Sequence, residues 1–105
     1  MPLVDSRELL SQAAREGYAV PAFNVHSLDV IAPMLAAAQK LRAPVILQVS
    51  PATARFVGWP QVAAVVTACC SQTTIPVALH LDHSSSQEEI LLASRYGFTS
   101  VMADG

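Results

Sequence analysis

Two histidines and an aspartate fall close together in the stretch Val77-Ala-Leu-His-Leu-Asp-His-Ser-Ser-Ser86. A neutral imidazole suits zinc, and a carboxylate beside it can give or take a proton. As an isolated string, His80-Leu-Asp82-His83 is not a specific motif; its chemistry depends on where the backbone delivers the side chains. Asp82 and His83 are adjacent, so on an ideal strand they point to opposite faces. A turn directly after the strand would let both approach one cavity. Other polar groups stand where apolar runs end: Asn24 and His26, Ser50, and Asp104. His26 reads as an exposed loop histidine.

These groups share a site only if their strands run the same way. Pro76 precedes Val77, which suits the start of a strand. Val77, Leu79 and Leu81 alternate with Ala78 and His80, leaving both faces largely apolar, as in a strand buried on both sides within a parallel sheet. Tyr18–Val25, Val45–Val49 and Thr99–Ala103 read as three further strands, with Pro21 confined to the beginning or edge of the first. Asp5 caps a helix that starts at Ser6, with Glu8 completing a capping box, Leu9, Leu10, Ala13 and Ala14 as its apolar stripe, and Gly17 as its stop. Ser27 caps a helix running to about Arg42, with Leu28, Ile31, Leu35, Ala38 and Leu41 as its apolar face. Pro33 either kinks that helix or marks its true start. Gly58-Trp59-Pro60 opens another helix, buried through Val62, Val65, Val66 and Cys69. Ser84-Ser-Ser86 caps a helix from Gln87 to Tyr96, with Glu88 and Glu89 in its first turn. Strand starts near Ala19, Val45, Val77 and Thr99 lie roughly 22–32 residues apart with a helix between each pair, which predicts an α/β fold with a parallel sheet and right-handed crossovers. In such sheets ligands bind at the carboxyl ends of the strands, where the polar groups stand.

Composition narrows the function classes. The chain has 105 residues and a net charge of −2, with no basic stripe for nucleic acid. No apolar run approaches the ~18–20 residues of a membrane span. The N-terminus lacks the basic region and long apolar core of a signal peptide. Cys69 and Cys70 are adjacent, without a CxxC spacing, and read as two buried thiols in a reducing cytosol. A cytoplasmic chain is expected.

Tyr18-Ala-Val-Pro-Ala-Phe-Asn-Val25, Pro44-Val-Ile-Leu-Gln-Val-Ser50, His80-Leu-Asp-His83 and Ser100-Val-Met-Ala-Asp-Gly105 occur in this order and at this spacing in one family. The chain resembles the N-terminal portion of a class II, zinc-dependent ketose-bisphosphate aldolase of the fructose or tagatose type. The resemblance covers nearly its whole length. It implies the N-terminal half of a (β/α)8 barrel preceded by a short helix, with the site on the C-terminal rim. It implies reversible cleavage of a ketose 1,6-bisphosphate, a phosphorylated sugar, into dihydroxyacetone phosphate and glyceraldehyde 3-phosphate. Zinc (Zn2+) is the implied cofactor, and a homo-oligomer the implied full-length form. By resemblance Asp82 exchanges the C4-hydroxyl proton, His83 is a zinc ligand, Asp104 is an alternative ligand or an outer partner of the metal, and Asn24 and Ser50 contact substrate.

The chain departs from the family at Ser84, where fructose-type members carry Gly and many tagatose-type members carry His, which leaves the sugar open. Ala103 replaces a commoner Ile. A βα barrel takes about 200–250 residues and eight strands, so residues 1–105 are expected to form a partial, truncated barrel domain. The other zinc histidines, the phosphate loops and the base for dihydroxyacetone phosphate then lie outside this sequence, and the segment alone is expected to be inactive. Two other readings stand beside the aldolase: a non-catalytic half barrel that associates through its open edge, and a small flavodoxin-like binding domain, for which a GxGxxG or P-loop signature is missing.

Overall fold

The computed structural model describes residues 3–104. Gly105, placed by the sequence beside Asp104, and the first two residues of the N-terminal segment lie outside them. The elements run α1 (Ser6–Glu16), β1 (Ala22–Asn24), α2 (Ile31–Lys40), β2 (Val45–Val49), α3 (Pro51–Val57), α4 (Trp59–Cys70), β3 (Val77–Ser84), α5 (Gln87–Arg95) and β4 (Ser100–Ala103), with a 3-10 turn at Leu28–Val30 leading into α2. All neighbouring strands pair in parallel, in the order β1-β2-β3-β4. This is the predicted architecture, three consecutive βα units and a fourth strand, of the kind that build a (β/α)8 barrel.

The termini of α1 follow the sequence signals. The Asp5 carboxylate accepts the Glu8 N–H at 3.0 Å, and Gly17 closes the helix at φ 77°, a left-handed conformation that favours glycine. Three local features differ from expectation. The first strand holds only Ala22–Asn24. The Pro21 carbonyl accepts from Ile46 N–H, but its own nitrogen has no proton to give, so the ladder starts after it. Helix α2 neither kinks at Pro33 nor waits for it: it begins at Ile31, and Pro33 falls in the first turn, where an N–H has no helical acceptor. Helix α3 has no counterpart in the sequence reading. The Ser50 hydroxyl accepts the Thr53 N–H at 3.2 Å and Pro51 occupies the first turn, so Ser50-Pro51 is a start signal within the chain's own vocabulary.

Strand pairing sorts the residues onto two faces. Val45, Leu47 and Val49 on β2 and Val77, Leu79 and Leu81 on β3 are fully buried in one core, under Ile31 and Leu35 of α2, Ala54 of α3, Val62 and Val66 of α4, and Ala93 of α5. Trp59 packs against Phe98 with ring centroids 5.7 Å apart and planes tilted by 56°. Arg55 clamps Glu89 through two contacts of 2.8 and 2.6 Å, tying α3 to α5. Helix α1 is the exception to helices on a single side. Its Leu9 packs with Ile46 and Ala78, and with Val4 and Val20, on the opposite face. Leu9 and Ala13 are its buried residues, while Leu10 and Ala14 face water, so the stripe is narrower than predicted. On α2, Leu41 likewise falls past the helix end and is exposed. Cys70 is buried and Cys69 half-buried, both as free thiols.

Candidate active site at the strand ends

The inner face of the sheet changes character along the strand axis. At the amino ends, Ala22, Ile46 and Ala78 align in register, and α1 covers Ile46 and Ala78. Two residues onward, Asn24, Gln48, His80 and Ser100 form one row across all four strands. Gln48 Nε2 donates to Asn24 Oδ1 at 2.7 Å, and His80 Nδ1 lies 2.7 Å from Ser100 Oγ. The Asn24 amide oxygen is thereby occupied, and its nitrogen keeps its protons for another acceptor. Gln48 and Ser100 were not singled out from sequence. The signal for Gln48 was available: it is the one polar residue within Val45-Ile-Leu-Gln-Val49. Ser100 needed the register.

Above this row stands Asp82. Its Oδ1 is 3.8 Å from His80 Nε2 and its Oδ2 is 3.9 Å from His83 Nε2. Both His80 and Asp82 side chains are mostly shielded from water, whereas His83 is 64% exposed. The backbone resolves the conflict between the adjacent Asp82 and His83. Leu81 pairs with Val101 and Ser84 with Ala103, so β3 spends three steps where β4 spends two. The extra residue is a bulge, and His83 within it takes φ 47°, in the left-handed region. The predicted turn after the strand is thus a bulge inside it, and pairing resumes at Ser84. His83 is brought round to Asp82 and also to Asp104, whose Oδ2 lies 3.3 Å from His83 Nδ1.

Burial pushes the His80 imidazole below its ordinary value; the Asp82 carboxylate pulls the other way, and His83 adds to the lowering. His80 is therefore a neutral ring at physiological pH, one nitrogen a donor and the other an acceptor. The cluster can do acid–base work through Asp82 and offers an imidazole for a metal at His83. Among the described residues, no group of three or more His, Cys, Asp or Glu side chains is placed to hold a metal ion.

The remaining predicted groups divide. Asn24 joins the row beneath the rim. Ser50 lies at the carboxyl end of β2, but its hydroxyl is engaged with Thr53, through both the backbone N–H and Oγ1 at 3.2 Å. Ser84 is fully buried, and its hydroxyl bonds the Ser86 backbone. His26 is exposed, as expected.

Parallel βα units with a polar cluster at the carboxyl ends of the strands are the arrangement of a βα-barrel segment, whose ligands bind at that rim. Residues 4–105 match the family model described as fructose-bisphosphate aldolase class-II, and the chain belongs to that family. It is 45% identical over 107 aligned positions to a probable fructose-bisphosphate aldolase of Bacillus subtilis (strain 168), which covers 99% of this chain and 38% of that protein. It is 42% identical over 102 positions to a fructose-bisphosphate aldolase of Thermus caldophilus, covering 97% of this chain and 33% of that one. Its fold superposes on the crystal structure of the YdjI aldolase from Escherichia coli K12 with a TM-score of 0.88 at 27% identity, over 98% of this chain and 40% of the other. A putative fructose-1,6-bisphosphate aldolase from Coccidioides immitis gives a TM-score of 0.82 at 29% identity, over 92% of this chain and 38% of the other. The chain thus spans well under half the length of the relatives it matches.

Proposed function

We propose that this segment supplies the acid–base half of an aldolase site that cleaves a ketose 1,6-bisphosphate, of fructose or tagatose, to dihydroxyacetone phosphate and glyceraldehyde 3-phosphate in the cytoplasm. The observation that carries the reading is the Asp82 carboxylate, held on the rim between His80 and His83 at 3.8 and 3.9 Å. In the cleavage direction Asp82 takes the proton of the C4 hydroxyl as the C3–C4 bond breaks; in condensation it returns it. Asn24, with its oxygen occupied by Gln48, turns its amide donor toward the substrate. Ser50 is the second substrate contact, and must exchange its bond to Thr53 for one to the sugar phosphate.

His83 fits a zinc site by its donor chemistry and exposure. A proton on Nδ1 donated to Asp104 leaves Nε2 free to ligate, so the 3.3 Å contact supports Asp104 as the acceptor that orients His83 rather than as a ligand. Zinc held by His83 and ligands from outside this segment would supply Lewis-acid polarisation of the substrate ketone. Catalytic zinc takes three protein ligands, and one histidine with its partner is an incomplete set. We accordingly read residues 1–105 as part of a barrel domain that is inactive alone, and the complete form as a homo-oligomer.

The test is made in a complete barrel that contains this segment. Asp82→Asn keeps the shape and removes the base, so kcat falls by about 10²–10⁴-fold while zinc content stays near wild type. His83→Ala loses the metal, and activity with it. Metal content by mass spectrometry, set beside cleavage rates, checks both. Zinc loss in Asp82→Asn equal to that in His83→Ala would overturn the role given to Asp82. The isolated 105-residue chain should show no cleavage above a metal-only blank.

The half-barrel interaction reading is favoured by a separate observation. β1 and β4 are the edges of the sheet, and Phe23, Val101 and Met102 on them are 47%, 40% and 39% exposed. It is compatible with an inactive segment and makes its own prediction about association, given below.

A further inference from the structure

Ser100 carries two contacts that the acid–base role of Asp82 does not by itself require. Its Oγ accepts from the Ser6 hydroxyl at 2.9 Å and lies 2.7 Å from His80 Nδ1. Ser6 opens α1 and Ser100 opens β4, so this contact ties α1 to β4 at the polar row. On the far side of the same ring, His80 Nε2 faces Asp82 Oδ1 at 3.8 Å.

Two proton arrangements satisfy these contacts, and the Ser6-to-Ser100 direction together with the nearby carboxylate selects one. A serine hydroxyl has one proton and two acceptor positions. With Ser6 donating to Ser100, the Ser100 proton goes to the nearest acceptor, and that is His80 Nδ1. The neutral ring then carries its single proton on Nε2, directed at a carboxylate. The opposite tautomer would set a nitrogen lone pair against the Asp82 anion, in surroundings shielded enough to make that repulsion costly. Lowered basicity of the shielded ring agrees with a neutral imidazole.

We propose that Ser6, Ser100 and His80 form a hydrogen-bonded chain that fixes His80 as the Nε2–H tautomer and aims that proton at Asp82, so that His80 is a positioning residue for this carboxylate. Its value to turnover rests on the acid–base reading of Asp82. The tautomer and its dependence on Ser100 do not.

The experiment is nitrogen-15 NMR of histidine rings in the 105-residue chain, with exposed His26 as internal reference. Magic-angle spinning reads the same signals if the chain associates. His80 should show an acceptor-type Nδ1 and a proton-bearing Nε2. Ser100→Ala should move it to a mixture of tautomers, and Ser100→Thr should restore the wild-type pattern. Ser6→Ala, which removes only the outer donor, gives a smaller shift in the same direction and serves if Ser100→Ala fails to fold. The carboxyl carbon of Asp82 reports the other end. His80→Asn reaches toward Ser100 only and should move that signal; His80→Gln places an amide donor where Nε2 stood and should move it less. A proton on Nδ1 in the wild type, an unchanged tautomer in Ser100→Ala, or an Asp82 signal that responds equally to Asn and Gln would each overturn the proposal. Unchanged turnover in the Asp82→Asn barrel would sink the catalytic reading alone and leave this result standing.

Discussion

His83 meets Asp104 at 3.3 Å across β3 and β4 because β3 carries one residue more than its neighbour. The contact depends on backbone geometry that a side chain with a Cβ adopts at a cost. His83 sits at φ 47°, where an L-residue other than glycine is uncommon.

That geometry separates the stability of the bulge from its chemistry. In the 105-residue chain, His83→Gly relieves the left-handed conformation while His83→Ala keeps its cost. The glycine variant is expected to be more stable than the alanine variant by about 1 kcal/mol. Urea midpoints at equal m-value measure the difference. Equal midpoints would mean that the bulge relaxes once the imidazole is gone. Both variants lose the imidazole proposed to ligate zinc, so in a complete barrel both should lose zinc alike.

Cys70 gives the chain an alkaline limit. Burial, and then the neighbouring Cys69, raise its thiol from the ordinary 9.0 to about 11. In the unfolded chain the thiol ionises above pH 9; in the folded chain it stays protonated until about pH 11. The unfolded state therefore holds fewer protons in this window, and stability falls as pH rises through it. Between neutral pH and pH ~10.5 the wild type should lose about 2 kcal/mol more than Cys70→Ala. Denaturation at the two pH values checks this. Thiol reagents at neutral pH should label half-buried Cys69 before Cys70.

Open sheet edges predict association. Phe23 on β1 and Val101 and Met102 on β4 face water beside strand edges without a ladder partner among the described residues. Light scattering of the 105-residue chain is expected to give a mass above that of a monomer. Phe23→Lys with Val101→Lys should lower it, since edge charges block pairing. A compact wild-type monomer with a cooperative melt would contradict this.

Periodicity placed most of the fold. β2 is found at Val45–Val49, as read, and α5 ends one residue short of its predicted Tyr96. The misses have local causes. Helix α3 hid between a strand and a Gly-Trp-Pro start signal, because Ser50 at the strand end also caps the helix that follows. β1 was overestimated because apolar residues continue through Tyr18–Pro21 although pairing does not. Within the site, Asp82, His83 and Asp104 were legible as strand-end residues. Their convergence was expected through a turn after the strand; the bulge that achieves it was not, because its only trace is a histidine tolerating positive φ. The row through Gln48, His80 and Ser100 depends on register between strands, which no single strand's pattern contains.

The placement of α1 has a consequence for the order of assembly. Each strand pairs only with its neighbours in sequence, so the sheet can be laid down one βα unit at a time as the chain emerges. The first helix cannot keep pace. Leu9 needs Ala78 of β3 as well as Ile46 of β2, and Ser6 waits for Ser100 of β4, 94 residues away. Closing that loop carries the largest entropy cost among these contacts. The first helix of this segment therefore docks on the sheet only once β3 is in place, and until then the face that carries Ile46 stays open from below.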